Sequence, residues 1–177
     1  MRVNLIVATD ARGGVARRGR PPWDSNPLAG EAAEMYARRY DQLTIAPRHA
    51  VVMGRRAWDA LPEHPLPRRL NIVITTGDPR LEGAIVVASA QEACAEAKSR
   101  NIDTLWVVGG VQTFKAFEAL GVVSEVFHTT FESDFKCDVF YRPDAGELEE
   151  AETLVGADPS RISAVQRRSR GRSVASS

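Results

Sequence analysis

Apolar residues fall in short, nearly continuous runs, separated by stretches where they recur every three or four positions. Val3 to Ala8 is the first run, followed by Ala50–Met53, Asn71–Thr75, Ala84–Val87 and Leu105–Val108. Runs of this length without polar alternation predict strands covered on both faces. Val126 to Phe131 adds a sixth β-rich stretch. Between them, Leu28 to Leu43 carries an apolar stripe of Leu28, Ala32, Met35, Tyr36, Tyr40 and Leu43, which predicts a helix. Ser89 to Arg100 predicts another, with Ser89 as a cap and Glu92 three residues on. Val111 to Leu120, with Phe114, Phe117 and Leu120, predicts a third. Strands alternating with helices imply an α/β three-layer sandwich around a mostly parallel sheet.

Glycines and prolines break the pattern in two places. Gly13, Gly14, Gly19, Pro21 and Pro22 make a long loop after the first strand, and Pro62, Pro65 and Pro67 make another before the third. Such loops on a rigid sheet are where binding residues concentrate.

Composition narrows the class without changing the architecture. The 177 residues are 44% hydrophobic and 26% charged, with 23 basic and 23 acidic side chains. That balance gives no electrostatic case for a nucleic-acid partner. The acids concentrate between Glu118 and Glu152 and the arginines between Arg161 and Arg172, the latter reading as a solvated end. No apolar run approaches the ~20 residues of a membrane span, and the first residues lack the pattern of a secretory signal. Cys94 and Cys137 form no disulfide framework, so reduced thiols in a cytoplasmic protein are expected. No group of histidines and acids has metal-ligand spacing.

Two strand-to-helix turns carry candidate chemistry. Met53-Gly54-Arg55-Arg56 joins a predicted strand to a short helix, with a glycine for close backbone approach and two arginines. Free N–H groups at such a turn suit a phosphate. Val108-Gly109-Gly110-Val111 repeats the arrangement at the fifth strand. Ligands of parallel sheets bind outside the carboxyl ends of the strands, where both turns fall.

Taken in order, the motifs resemble the dihydrofolate reductase family. They are Leu5-Ile6-Val7-Ala8, Gly14-Val15-Ala16, Pro22-Trp23, Val52-Met53-Gly54-Arg55 with Trp58, Pro65 through Thr75, Val108-Gly109-Gly110, and Phe131 through Phe140. The resemblance covers roughly Val3 to Tyr141. It implies one dihydrofolate reductase-like domain over 1–177, poorly matched from about 142, with an antiparallel C-terminal edge to the sheet. It also implies NADPH as cofactor and dihydrofolate as the only partner of a monomeric enzyme.

The implied roles follow residue by residue. Ile6, Val7 and Ala8 match the strand touching pterin and nicotinamide, and Val15 to Trp23 the loop closing over the nicotinamide. Gly54, Arg55, Arg56 and Ala57 match the phosphate turn, and Thr75 and Thr76 the hydroxyls near the 2′-phosphate. Gly109 and Gly110 match a cis Gly-Gly peptide beside the cofactor, flanked by Val108 on the substrate side and by Val111, Gln112 and Phe114 on the cofactor side. Met35, Tyr36, Leu61, Leu66 and Arg69 match the substrate site, with Arg69 pairing a glutamate carboxylate of the folate tail. Thr129 matches the threonine that fixes the catalytic carboxylate.

That carboxylate is where the sequence departs from the family. The segment from Trp23 to Thr44 is longer than the family pattern by about two helical turns. Counting back from Thr44 puts Tyr36 in the acid's place and Tyr40 in that of an aromatic one turn on. Asp24, Glu31 and Glu34 compete for the role. Helical phase places Ala32, Tyr36, Tyr40 and Leu43 inward, Glu31 on their flank and Glu34 nearly opposite. Glu31 also follows Gly30, a helix start, so it is the expected acid, with Glu34 and Asp24 as alternatives.

Smaller departures are Ala57 for a threonine, Phe114 for a tyrosine and Gln112 for an arginine, which leaves NADPH preference to Arg55, Arg56 and Thr76. Arg161 to Gln166 is the candidate last strand. A same-fold reductase of another heterocycle, such as the riboflavin-pathway pyrimidine, and a nucleotide- or pterin-binding protein without turnover remain as alternatives.

Overall fold

The unbroken apolar runs become strands because helices cover both faces of the sheet they enter. The computed structural model describes residues 1–24, 30–77, 80–144, 147–155 and 162–169, with side chains up to 144. In chain order the strands are β1 (Arg2–Thr9), β2 (Gly14–Ala16), β3 (His49–Gly54), β4 (Leu70–Ile74), β5 (Ile85–Val87), β6 (Thr104–Gly109), β7 (Glu125–Phe131), β8 (Val139–Phe140), β9 (Glu147–Val155) and β10 (Ile162–Ser169). The helices are α1 (Gly30–Thr44), α2 (Arg55–Asp59), α3 (Ala90–Ser99) and α4 (Val111–Ala119).

One sheet holds eight strands in the order β5-β4-β3-β6-β1-β7-β10-β9. Its first six are parallel, and β10 and β9 close the far edge antiparallel. The expected three-layer sandwich with an antiparallel C-terminal edge is therefore the observed architecture. β10 covers Ile162 to Gln166 of the expected last strand; Arg161 and the end of the basic tail lie outside the described residues, as does Leu28 of the helical stripe. β2 and β8 form a separate two-stranded sheet.

Strand alternation sorts the core into two layers. Val3, Leu5, Val7, Val52, Ile72, Leu105 and Val107 pack beneath α3 and α4 with Ala93, Ala97, Phe114 and Phe117. Ile6, Val51, Met53, Val73 and Trp106 face the other way, toward Trp58 of α2 and Tyr40 and Leu43 of α1. A smaller cluster of Ala8, Ala32, Phe131 and Phe135, with Trp23 and Tyr36 against it, closes the upper end of that layer.

α3 shows how local chemistry fixes a boundary. Ser89 Oγ accepts from the Glu92 N–H at 3.1 Å, and Glu92 Oε2 accepts from the Ala88 N–H at 2.9 Å. The side-chain cap anticipated from Ser89 and Glu92 is present, and it consumes donors that a ligand could otherwise use.

Candidate active site

β3, β6 and β1 lie side by side, and their carboxyl ends carry the two glycine turns and the start of the long loop. Neither Gly54, before α2, nor Gly110, before α4, provides a side-chain cap. Unlike α3, both turns keep their first N–H groups for another acceptor. A Cβ on Gly54 would come within 2.9 Å of Thr113 Oγ1 and 4.0 Å of the Gly110 nitrogen, so the turns touch. A Cβ on Gly110 would meet nothing within 4 Å, so the space above it is open. Gly109–Gly110 is a cis peptide, as the resemblance implied. β6 bulges at Val108, because Met53 pairs with Gly109 directly after Val52 pairs with Val107.

These features fit the phosphates of a dinucleotide: glycines where backbone must approach, unsatisfied donors, and cations beside them. Arg56 is exposed at the start of α2. Arg55 spends its Nε on Asp59, at 2.8 and 3.0 Å, and the two terminal nitrogens lie beyond that contact. Ala57 lies under Gly109, its Cβ 3.8 Å from where a glycine Cβ would stand. Gln112 and Thr76 are exposed, and Val111 is half-buried. Thr75 Oγ1 accepts from the Gly77 N–H at 3.3 Å, so this hydroxyl serves its own loop. Phe114 packs into the core beside Tyr141. Its ring, on the buried face of α4, is stacked on Tyr141 at 5.0 Å.

Across the cleft, beneath α1, aromatic rings dominate. Trp23 stacks on Phe131 with centroids 4.9 Å apart and meets the Tyr36 edge at 5.8 Å. Tyr36 also lies 6.0 Å from Phe131 and 6.2 Å from Tyr40. Thr129, buried to 3% exposure, sits opposite Ala8 on β7. It shares a strand face with Phe127 and Phe131, toward α1. Ile6 and Ala8 line the same side, whereas Val7 belongs to the opposite core layer, leaving only its backbone for the cleft.

α1 runs unbroken from Gly30 to Thr44. The extra residues therefore precede Tyr36, and Tyr36 keeps the acid's place relative to Thr44. Glu31 stands in the first turn as expected, but it is exposed, about 7.5 Å further along the axis than Tyr36. Glu34 is corrected: it is 71% exposed and pairs with Arg38 at 3.7 Å on the outer face. Met35 is half-buried. Asp24 differs from both glutamates. It is exposed over the residue as a whole, yet burial of its carboxyl raises its pKa, with Arg20 pulling it back down. Burial, Tyr40 and then the Asp24 charge all raise the pKa of the Tyr36 hydroxyl, so Tyr36 stays a neutral phenol.

Below Tyr40, Arg69 holds the lower end of the cleft. Its side chain is 1% exposed. Nε donates to the Pro67 carbonyl at 2.8 Å, Nη1 to Thr44 Oγ1, and Nη2 to Asp41 Oδ1 at 2.9 Å. The guanidinium carbon lies 5.8 Å from the Tyr40 ring centre. Leu61 and Leu66 are half-buried against the core layer that holds Trp58.

Two positioning residues escaped the sequence reading. Asn71, 2% exposed, accepts from the Leu66 N–H and donates to the Leu66 and Arg69 carbonyls, each at 2.9 Å. It fixes the loop presenting Arg69; an asparagine inside an apolar strand was the available signal. Asp10, 1% exposed, accepts from the Gly14, Arg12 and Phe135 N–H groups at 2.7, 2.9 and 3.2 Å. It ties β2, with the half-buried Val15, to the segment before β8. Its signal was an aspartate opening a Gly-rich turn. Beside it, burial, the Asp10 hydrogen bond and nearby carboxylates push the Cys137 thiol up to about 12, so it stays protonated.

Among the described residues no cluster of histidine, cysteine and acid could hold a metal, and no helix is long and apolar enough to cross a membrane. The sequence profile of the dihydrofolate reductase family matches residues 2–154. A dihydrofolate reductase of Aedes albopictus is 30% identical over 148 residues, covering 78% of this chain and 77% of that protein. One of Mycobacterium leprae is 37% identical over 116 residues, 64% and 63% of the two chains. The solved structure of dihydrofolate reductase from Enterococcus faecalis complexed with NADP(H) and RAB-propyl superposes with a TM-score of 0.78 over 96% of both chains, at 23% identity. By the extent of the family match and the order of its glycine turns, the chain belongs to the dihydrofolate reductase family.

Proposed function

We propose that the chain carries out the family's reaction in this cleft, the NADPH-dependent reduction of 7,8-dihydrofolate to 5,6,7,8-tetrahydrofolate. The supporting observation is the facing of two unlike walls at the carboxyl ends of β3, β6 and β1. Uncapped glycine turns stand on one side, and a Trp23–Tyr36–Phe131 aromatic cluster on the other. NADPH, when bound, supplies the hydride that reaches the pterin C6.

The chain's own residues hold the two ligands together and exclude water. The main chain at Gly54 and Gly110, with Arg55 and Arg56, takes the phosphates. Gly109 and the backbone of Ile6 to Ala8 border the nicotinamide. Trp23, Tyr36 and Phe131 enclose the pterin, Leu61 and Leu66 the middle of the substrate, and Arg69 takes a tail carboxylate. Asp24 supplies the negative charge for the pterin's amino edge and N3, with the Tyr36 hydroxyl between the acid and the ring. That charge favours a substrate protonated at N5. Thr129 fixes the polar edge from β7. The substrate is the only partner in this reading, and the enzyme acts as a cytoplasmic monomer.

A binding protein without turnover is the second reading, favoured by a tyrosine in the acid's place. Steady-state oxidation of NADPH by dihydrofolate separates them. Turnover supports the reductase, and saturable binding of both ligands without NADPH oxidation sinks it.

A further inference from the structure

We propose that Asp41 is a specificity-determining residue: it caps the buried Arg69 guanidinium and competes with the substrate's tail carboxylate for it. The proposal rests on the reading of Arg69 as the tail-binding residue and asks what this chain does with that residue when no tail is present.

The two partners of the ion pair stand in different surroundings. The Arg69 side chain is 1% exposed and Asp41 is 54% exposed. A buried guanidinium needs acceptors, because an unpaired charge in protein surroundings is costly. The Pro67 carbonyl and Thr44 Oγ1 satisfy two of its nitrogens from within the fold. The third acceptor, Asp41 Oδ1 at 2.9 Å, comes from the solvent side of α1. The exposed carboxylate thus stands where an incoming carboxylate must approach.

Among the described residues the Asp41 carboxylate touches Arg69 alone and is more than half in water, so it can turn away. Binding an acidic tail then exchanges one carboxylate for another on the same cation. The gain is smaller than at a fork capped only by neutral groups, and the displaced Asp41 remains close enough to repel the newcomer. A dihydropterin without a carboxylate tail makes no such exchange. This arrangement lowers the preference for acidic-tailed substrates relative to tail-less ones, while keeping Arg69 ordered in the free enzyme.

The test uses the full chain with NADPH and two substrates, dihydrofolate and 6-methyl-7,8-dihydropterin. Asp41→Asn keeps a hydrogen-bond acceptor and removes the charge. It should lower the KM for dihydrofolate by about fivefold, the size of a half-exposed pair. The KM for the tail-less dihydropterin should not move. Asp41→Ser, which keeps neither the charge nor the length, should shift the same ratio in the same direction and guards against a local effect of the amide. An unchanged or raised KM for dihydrofolate in both variants overturns the competition, because Asp41 would then be neutral or would orient Arg69 for the tail. Arg69→Ala separates that result from failure of the underlying reading. If it raises the KM for dihydrofolate alone, the tail site stands whatever Asp41 does. If it changes neither KM, the tail reading falls and the role of Asp41 falls with it.

Discussion

On the β3 and β6 side the main chain leaves N–H donors open beside Arg55 and Arg56; along α1 the groups on offer are side chains alone. At Gly54 and Gly110 no side chain caps the helix that follows, and the strands behind them fix the N–H donors. Their geometry tolerates change in neighbouring residues, which is why Ala57 can stand where the family has a threonine. The α1 wall depends on which side chain sits at which depth. There Tyr36 packs inward, Glu34 faces outward, and Asp41 covers Arg69. A backbone site is preserved by topology, whereas a side-chain site can be rewritten one residue at a time.

The largest expected effect lies on the side-chain wall. Asp24→Asn should slow pre-steady-state hydride transfer at neutral pH by roughly a hundredfold or more, the scale of losing a positioned acid–base group. Glu31→Gln and Glu34→Gln should change it little. Because burial raises the Asp24 pKa in the folded protein, Asp24 costs stability once the pH rises through its folded range. The asparagine variant should therefore melt no lower than the parent at pH 7, so a slow but stable variant separates catalysis from folding. If Glu31→Gln is the inactive one, the helical-phase assignment holds and the pocket must close around α1's first turn.

The backbone wall answers to a smaller change. Gly54→Ala forces a Cβ within 2.9 Å of buried Thr113 Oγ1. Since Thr113 is β-branched and buried, relief requires movement of α4, at a cost of about 1–3 kcal/mol. NADPH affinity, read by titrating protein fluorescence, should fall at least about tenfold because α4 carries the second turn. Unchanged affinity would mean that the two turns do not act as one site.

Asn71→Ala tests the support of the substrate wall. It deletes a buried side chain that satisfies three backbone groups, and should lower stability by about 1–3 kcal/mol in urea unfolding. The KM for dihydrofolate should rise while that for NADPH stays close to the parent value. The smallest effect belongs to the capped helix that takes no ligand. Ser89→Ala should cost about 1 kcal/mol of stability and leave both KM values unchanged. A shift in NADPH affinity there would break the contrast between capped and open helix starts.

Much of this was legible along the chain. Leu5, Val51, Val52, Ile72 and Val107 announce buried strands because both faces of the sheet are covered. Ser89 with Glu92 announces a helix start because the cap forms within four residues. Gly109–Gly110 marks a strand-to-helix turn because it closes one of those strands. These signals are local, and local geometry survives without knowledge of the fold.

The α1 wall was legible only in part. Hydrophobic phase correctly turned Tyr36 and Tyr40 inward and Glu34 outward, since phase measures direction around an axis. It carries no information on depth along that axis, where Glu31 stands about 7.5 Å from Tyr36. Nor did local pattern show that Tyr141, distant in sequence, stacks on the Phe114 ring of α4.

By itself the sequence determined the α/β alternation, the mostly parallel sheet of buried strands, the two glycine turns and hence the family. Those properties depend on periodicity and on residues within a few positions of one another. Tertiary structure alone decided which acid loses water, what covers Arg69 and which loop Asn71 and Asp10 hold. Each of those depends on groups brought together from separate segments, such as Asp41 on Arg69 or Asp10 on Phe135. Their energetics come from burial and proximity, which exist only once the chain has folded.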